Sequence, residues 1–282
     1  MDAPSPRGLI LDLLSTLRRG TMPVAALLKA GEIFELAEGS LRVALARLLA
    51  SGRVERDERG RYRLGPAATP LQGAVGRWRS LDEQVVDWDG RWWGVHQSAA
   101  PARAARRGHE QALRLHGFRP LTGELTLRPA NLVGGSHALR VRLRELGLAP
   151  GTLVFALDEL DPTTDARARG LWNVGQLRIR YQGSLAEIEA SAARLPDLTA
   201  EAAMRESFLL GGRVLQQLAL DPLLPAEILD PSDRRDLAAS MRRYDRLGRT
   251  AWAGLLERYG VPHIETPADS GFADRNARRA VA

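Results

Sequence analysis

Ser40-Leu41-Arg42-Val43-Ala44-Leu45-Ala46-Arg47-Leu48, followed by Ser51-Gly52-Arg53-Val54-Glu55-Arg56-Asp57-Glu58-Arg59-Gly60-Arg61-Tyr62-Arg63-Leu64, is the stretch whose reading decides the fold. Leu41, Leu45 and Leu48 recur at helical spacing from a start near Gly39-Ser40, and Ser51-Gly52 stops the run. Polar and apolar residues then alternate on both sides of the charged turn Asp57-Glu58-Arg59-Gly60, which is the pattern of a β-hairpin. Upstream, Ser5-Pro6 is an N-cap followed by Pro at the first helical position, ahead of Leu9, Ile10, Leu13, Leu14 and Leu17, and Gly20 ends that run. A shorter helix follows Pro23, with Val24, Leu27 and Leu28 apolar up to Gly31. Three helices and a hairpin in this order predict a winged helix-turn-helix over residues 1–70.

Charge agrees with that prediction. The chain has 282 residues, 26% of them charged, and a formal net charge of +6. Lys29 is its sole lysine, so nearly every cation is an arginine. Between Gly39 and Arg79 nine arginines face three acids, a local surplus equal to the net charge of the whole chain. A concentrated basic excess is what a phosphate-backbone binder requires.

The absence of cysteine excludes disulfides, thiolate metal sites and cysteine nucleophiles. No 18-residue uncharged apolar run offers a membrane span, and the opening residues lack a basic segment leading into an apolar one. A cytoplasmic protein without membrane association is expected.

Beyond Gly65-Pro66 and Thr69-Pro70, residues 71–87 are read as a linking helix. A new unit opens at Asp87-Trp88. Strand-like 91–97, a helix from Pro101 to about His116, strand-like 124–127, a helix over 136–146 and a strong strand at 152–157 alternate as β-α-β-α-β. This predicts a small ferredoxin-like α+β domain over 88–160. From 161 to 260 the spacing predicts helices at 165–172, 176–194, 198–218 and 232–259, and 261–282 reads as a loose tail. The expected fold class is therefore α+β multidomain, with a winged helix, a ferredoxin-like centre and a helical C-terminal domain.

Trp88-Asp89-Gly90-Arg91-Trp92 resembles the entry to the central domain of PaaX-like transcriptional regulators, the repressor family of phenylacetate degradation. Four further segments are similar in order and spacing: Leu41 to Leu48, His116-Gly117-Phe118-Arg119-Pro120-Leu121, Asn131-Leu132-Val133-Gly134-Gly135, and Asp221-Pro222-Leu223-Leu224-Pro225-Ala226-Glu227. Gly211-Gly212-Arg213-Val214 and Asp230-Pro231-Ser232-Asp233-Arg234 depart from the family pattern. The resemblance implies a homodimeric DNA-binding regulator, a repressor of an aromatic-acid catabolic operon, released by an acyl-CoA effector such as phenylacetyl-CoA.

On a recognition helix buried through Leu41, Leu45 and Leu48, the opposite face carries Val43, Ala46 and Arg47. Val43 can touch a thymine methyl and Arg47 can fork onto guanine. Ser40 at the helix cap and Arg42 on the flank suit phosphate, and Arg59 and Arg61 at the hairpin tip suit the backbone or minor groove. For the effector implied by the resemblance, Arg103, Arg106 and Arg107 are candidates for the phosphates, and Trp92 for the apolar slot. The central domain's further arginines, Arg128 among them, share that basic surplus.

His109 and His116 share a helical face without a third metal ligand, and no nucleophile elbow, P-loop or dinucleotide fingerprint occurs. Neither an enzyme nor a cofactor is expected. The alternatives are a nucleic-acid-processing enzyme that uses the winged helix for docking, against which stands a first central strand offering His96 and no carboxylate, and a regulator with an unrelated effector.

Overall fold

A computed structural model describes residues 3–16, 21–57, 59–68, 77–97 and 103–261. Helix α1 (Pro6–Thr16) starts where the Ser5 hydroxyl accepts from the Gly8 N–H at 3.1 Å, and it buries Leu9, Ile10, Leu13 and Leu14. Strand β1 (Met22–Pro23) leads into α2 (Val24–Ile33), and a turn with Glu35 at φ 58 leads into α3 (Glu38–Ala50). Strands β2 (Val54–Arg56) and β3 (Arg61–Leu64) pair antiparallel, and β1 joins the other side of β3 with Met22 opposite Tyr62, in the order β1-β3-β2.

The described part of 71–87 differs from the expected linking helix, of which residues 71–76 lie outside the described residues. Arg77–Ser80 and Asp82–Gln84 are separate 3₁₀ turns. Val85 then bridges Leu132, with the Val86 N–H donating to the Asn131 carbonyl at 2.9 Å. Side-chain anchors account for the break. Trp78 and Leu81 are buried, Arg79 pairs with Asp245 at 2.9 Å, and Asp82 receives Arg235 at 3.1 Å. These tertiary contacts override local helix propensity.

The central unit runs β4 (Trp92–His96), α4 (Arg103–Leu115), β5 (Arg119–Thr122), β6 (Leu125–Pro129), α5 (Gly135–Glu145) and β7 (Leu153–Leu157). Where the sequence reading placed one strand, at 124–127, the chain forms a hairpin of two. The sheet is antiparallel throughout, in the order β5-β6-β4-β7, with Trp92 opposite both Pro129 and Leu157.

Helices α6 (Pro162–Arg169), α7 (Val174–Arg194), α8 (Ala200–Ala219) and α9 (Ser232–Arg258) follow. The first three carry side-chain caps at Asp161, Asn173 and Thr199. Helices α8 and α9 serve two cores. One core joins the central sheet to the helices; the other joins Leu9, Leu27, Leu41, Leu45 and Leu48 of the first unit to Met204, Trp252 and Leu256. Phe34 lies 5.1 Å from Phe208, which lies 5.9 Å from Trp252. Arg205 ties the same joint by donating to the Ile33 carbonyl and pairing with Glu35 at 2.8 Å. Val261, at the start of the expected tail, is buried; residues 262–282 lie outside the described residues.

Candidate nucleic-acid interface

Helix α3 turns Leu41, Leu45 and Leu48 inward, which leaves Arg42, Val43, Ala46 and Arg47 exposed. Val43 is 52% exposed, an apolar side chain that the fold itself does not use. It lies in a groove of about 450 Å³ lined by Ser5, Pro6, Arg7, Gly39, Ser40, Val43, Ala44 and Arg47. The groove exists because the starts of α1 and α3 lie side by side, and both contribute small residues there.

Ser40 is the third residue of α3 rather than its cap, which is Ala37. It still lines the groove, one turn before Val43 and Ala44. Arg42 pairs with Glu38 at 2.6 Å, an exposed i,i+4 contact. Such a pair contributes little and can exchange Glu38 for a phosphate. Arg47 makes no ion pair with any described residue. The groove adds Arg7, which the sequence reading passed over. A cation in the first turn of a helix opposes the helix dipole, a placement that an anion bound in the groove would offset.

The hairpin sorts its arginines into different roles. Asp57 closes the turn by accepting from the backbone N–H groups of Arg59 and Arg61 at 3.0 and 2.8 Å. The Arg59 side chain is exposed at the tip. Arg61, expected at the DNA, is instead absorbed by the protein: its guanidinium donates to the Thr21 hydroxyl at 2.9 Å and to the Thr21 and Gly260 carbonyls at 3.0 Å. Its position beside β1, a strand too short to be read in the sequence, places those acceptors within reach. Arg63 pairs with Glu55 at 3.0 Å, and Arg56 lies 6.0 Å over the Tyr62 ring.

The residues expected at the effector separate in the same way. Trp92 is 1% exposed and belongs to the core, a correction to its expected place in a ligand slot. Its ring packs edge-on against Trp88 at 5.1 Å and stacks on Trp172 at 6.3 Å, while its indole N–H donates to Asp165 at 3.1 Å. Arg128 is likewise consumed inside. It donates to the carbonyls of Pro129 and His116 and to the Asn131 side chain, and burial pushes its guanidinium pKa down. Arg103, Arg106 and Arg107 stand exposed on α4 and make no ion pair with described residues.

The quoted motif residues meet at one joint between the sheet and the C-terminal helices. Asn131 donates to the Leu223 carbonyl at 2.8 Å, and the Trp172 indole donates to the Gly117 carbonyl at 3.2 Å. Gly117 adopts φ +72 with Pro222 pressed against it. Beneath them Asp221 accepts from the Tyr181 hydroxyl at 2.5 Å and from the Leu223 N–H at 2.8 Å, with Arg234 at 3.6 Å. Burial holds the Asp221 carboxyl above the ordinary carboxylate range.

His109 and His116 are buried and engaged, His109 by the Ala149 N–H at 3.3 Å and His116 by the Ala112 carbonyl at 3.1 Å. Burial lowers the His109 pKa. Among the described residues, no group of three or more His, Cys, Asp or Glu is arranged to hold a metal ion. No described helix is long and apolar enough to cross a membrane.

Comparison with known proteins adds a likeness of fold. No family profile and no curated protein matches the chain. A solved structure titled uncharacterized protein Rv0674 from Mycobacterium tuberculosis is similar, with 21% identity and a TM-score of 0.59. The match covers 91% of this chain and 99% of that one.

Proposed function

We propose that the protein is a DNA-binding transcriptional regulator whose first 70 residues act as a winged helix-turn-helix, with α3 as the recognition helix. The observation that carries this reading is the exposed Val43 beside Arg47, which pairs with no described residue, in a groove bordered by Ser5, Arg7 and Ser40. An apolar contact for a thymine methyl next to a guanine-forking arginine, ringed by phosphate-binding groups, is a major-groove reader's equipment. Arg59 at the hairpin tip extends the contact to the backbone or minor groove.

The resemblance to PaaX-like regulators supports a finer reading. It makes the central unit ferredoxin-like and the protein a homodimeric cytoplasmic repressor of an aromatic-acid catabolic operon. An aryl-CoA thioester releases it from DNA, with Arg103, Arg106 and Arg107 gripping the nucleotide phosphates. A two-fold dimer reads a palindrome whose half-sites are spaced by whole helical turns.

The test is selection of binding sites from random duplex DNA, followed by affinity measured across a salt series. Arg47→Ala weakens the selected site by about 1–3 kcal/mol and random DNA by less. Arg42→Ala weakens all sequences alike and lowers the salt slope by about one. Failure of any sequence to emerge, or equal sequence-independent losses for both variants, refutes the reading.

A further inference from the structure

Among the described residues, helix α7 is packed on one side only. Leu177, Tyr181, Ile188 and Ser191 face inward, and the opposite face carries Ile179, 70% exposed and the most exposed large hydrophobic side chain among the described residues. At 100° per residue, Gly175, Gly183, Ala186 and Ala190 all fall within about 40° of Ile179 on that outward face. All four are exposed. Gly183 sits in the middle of a 21-residue helix, and a Cβ added there would meet nothing within 4 Å. An interior helical glycine costs about 1 kcal/mol relative to alanine, and no close approach by a described residue at Gly183 offsets that cost.

Charges border the stripe in an order that complements itself. One flank carries Arg180 and then Glu187, and the other carries Arg178 and then Glu189. When a second α7 is laid antiparallel on the first, Arg180 opposes Glu187 of the second copy if the two-fold axis passes between Gly183 and Ser184. The same axis sets Arg178 opposite Glu189 of the second copy. One axis satisfies both flanks, and each contact occurs twice, as an isologous interface requires. That register also brings Ile179 to the level midway between Ala186 and Ala190 of the second copy, a hole lined by two methyl groups. Within the protomer, Arg178 reaches Asp233 at 3.4 Å and Glu187 reaches Arg213, both at the exposed surface. Arg180 and Glu189 form no ion pair with described residues.

We propose that this face of α7 is a self-association surface, through which two copies of the chain pair antiparallel about a two-fold axis between Gly183 and Ser184. It supplies the contact for the dimer of the regulatory reading but stands on the helix face alone, and its test uses no DNA. Sedimentation of the full chain at micromolar concentration shows a dimer. Ile179→Glu raises the dimer dissociation constant about a hundredfold and leaves the helical signal and melting of the protomer intact. Arg180→Glu weakens the dimer, and adding Glu187→Arg to the same chain restores it. The natural chain has no cysteine, so Gly183→Cys gives a disulfide-linked dimer on oxidation, whereas Gly254→Cys, equally open on α9, stays monomeric on a reducing-agent-free gel. A monomeric wild type, a dimer that survives Ile179→Glu, charge reversal without rescue, or absence of the Gly183→Cys cross-link overturns the proposal.

Discussion

Replacing Gly117 by alanine tests whether the joint between sheet and helices is a close backbone contact. Gly117 has φ +72, where alanine costs about 1–2 kcal/mol. A Cβ there would lie 2.8 Å from the Pro222 Cα and 3.0 Å from its Cβ and carbonyl oxygen. Neither side can retreat freely. Pro222 lies between Asp221, which accepts from the Leu223 N–H, and the Leu223 carbonyl held by Asn131, while the Gly117 carbonyl is held by Trp172. Overpacking against such a wall adds about 1–3 kcal/mol, for a total loss of about 2–5 kcal/mol. Gly123→Ala supplies the reference, since Gly123 has φ +48 and open space around it, so it incurs the backbone cost alone. Equilibrium urea unfolding followed by tryptophan fluorescence measures both, with the Trp92–Trp172 stack reporting from beside the joint. Equal destabilisation by the two alanines would refute the argument, because the Pro222 contact would then contribute nothing.

Three further outcomes are expected. Arg61→Ala lowers stability by about 1–3 kcal/mol through its lost contacts to Thr21 and Gly260, whereas Arg59→Ala leaves stability unchanged and weakens DNA of every sequence; paired melting and anisotropy measurements check the division, and a stable Arg61→Ala protein contradicts it. Because the Asp221 carboxyl is raised in the folded state above its ordinary 3.8, the folded protein binds that proton more tightly, so the group's contribution to stability falls as pH rises from about 4 toward its folded value. Asp221→Asn therefore flattens the pH dependence of the melting temperature over that window, and an unchanged slope would show that another group causes it. Calorimetric titration of the full chain should detect phenylacetyl-CoA but not phenylacetate, with affinity reduced at least about tenfold when Arg103, Arg106 and Arg107 are all replaced by alanine; identical binding by the triple variant removes those arginines from the site.

Much of the helical content is legible because amphipathic periodicity and caps are local. Ser5 marks a helix start by residue type, and the Leu41-Leu45-Leu48 stripe marks the face that α3 buries, whereas the caps Asn173 and Thr199 lie close to, but not at, the starts expected at 176 and 198. The strands β1 and β5 are not legible. Met22–Pro23 is two residues long and contains proline, and Arg119–Thr122 has Pro120 inside it, so both lack the alternating run that announces a strand. Site residues divide along the same line. The exposure of Val43 and Arg47 follows from helical geometry. The capture of Arg61 depends on Gly260, 199 residues away, and the burial of Trp92 depends on Trp172, which no local pattern encodes.

The second core has a consequence for the order in which the chain can fold. Phe34 rests on Phe208, and Phe208 on Trp252, so the first unit completes its interior with residues made some two hundred positions later. At synthesis rates of about 5–20 residues per second, the N-terminal 68 residues wait on the order of 10–40 s for α9 to leave the ribosome. During that interval Phe34, Leu36 and the open side of α2 remain uncovered, and closing so long a loop must precede the contacts that reward it. The N-terminal unit is thus finished last, so a truncated nascent chain carries an N-terminal unit whose interior is still open.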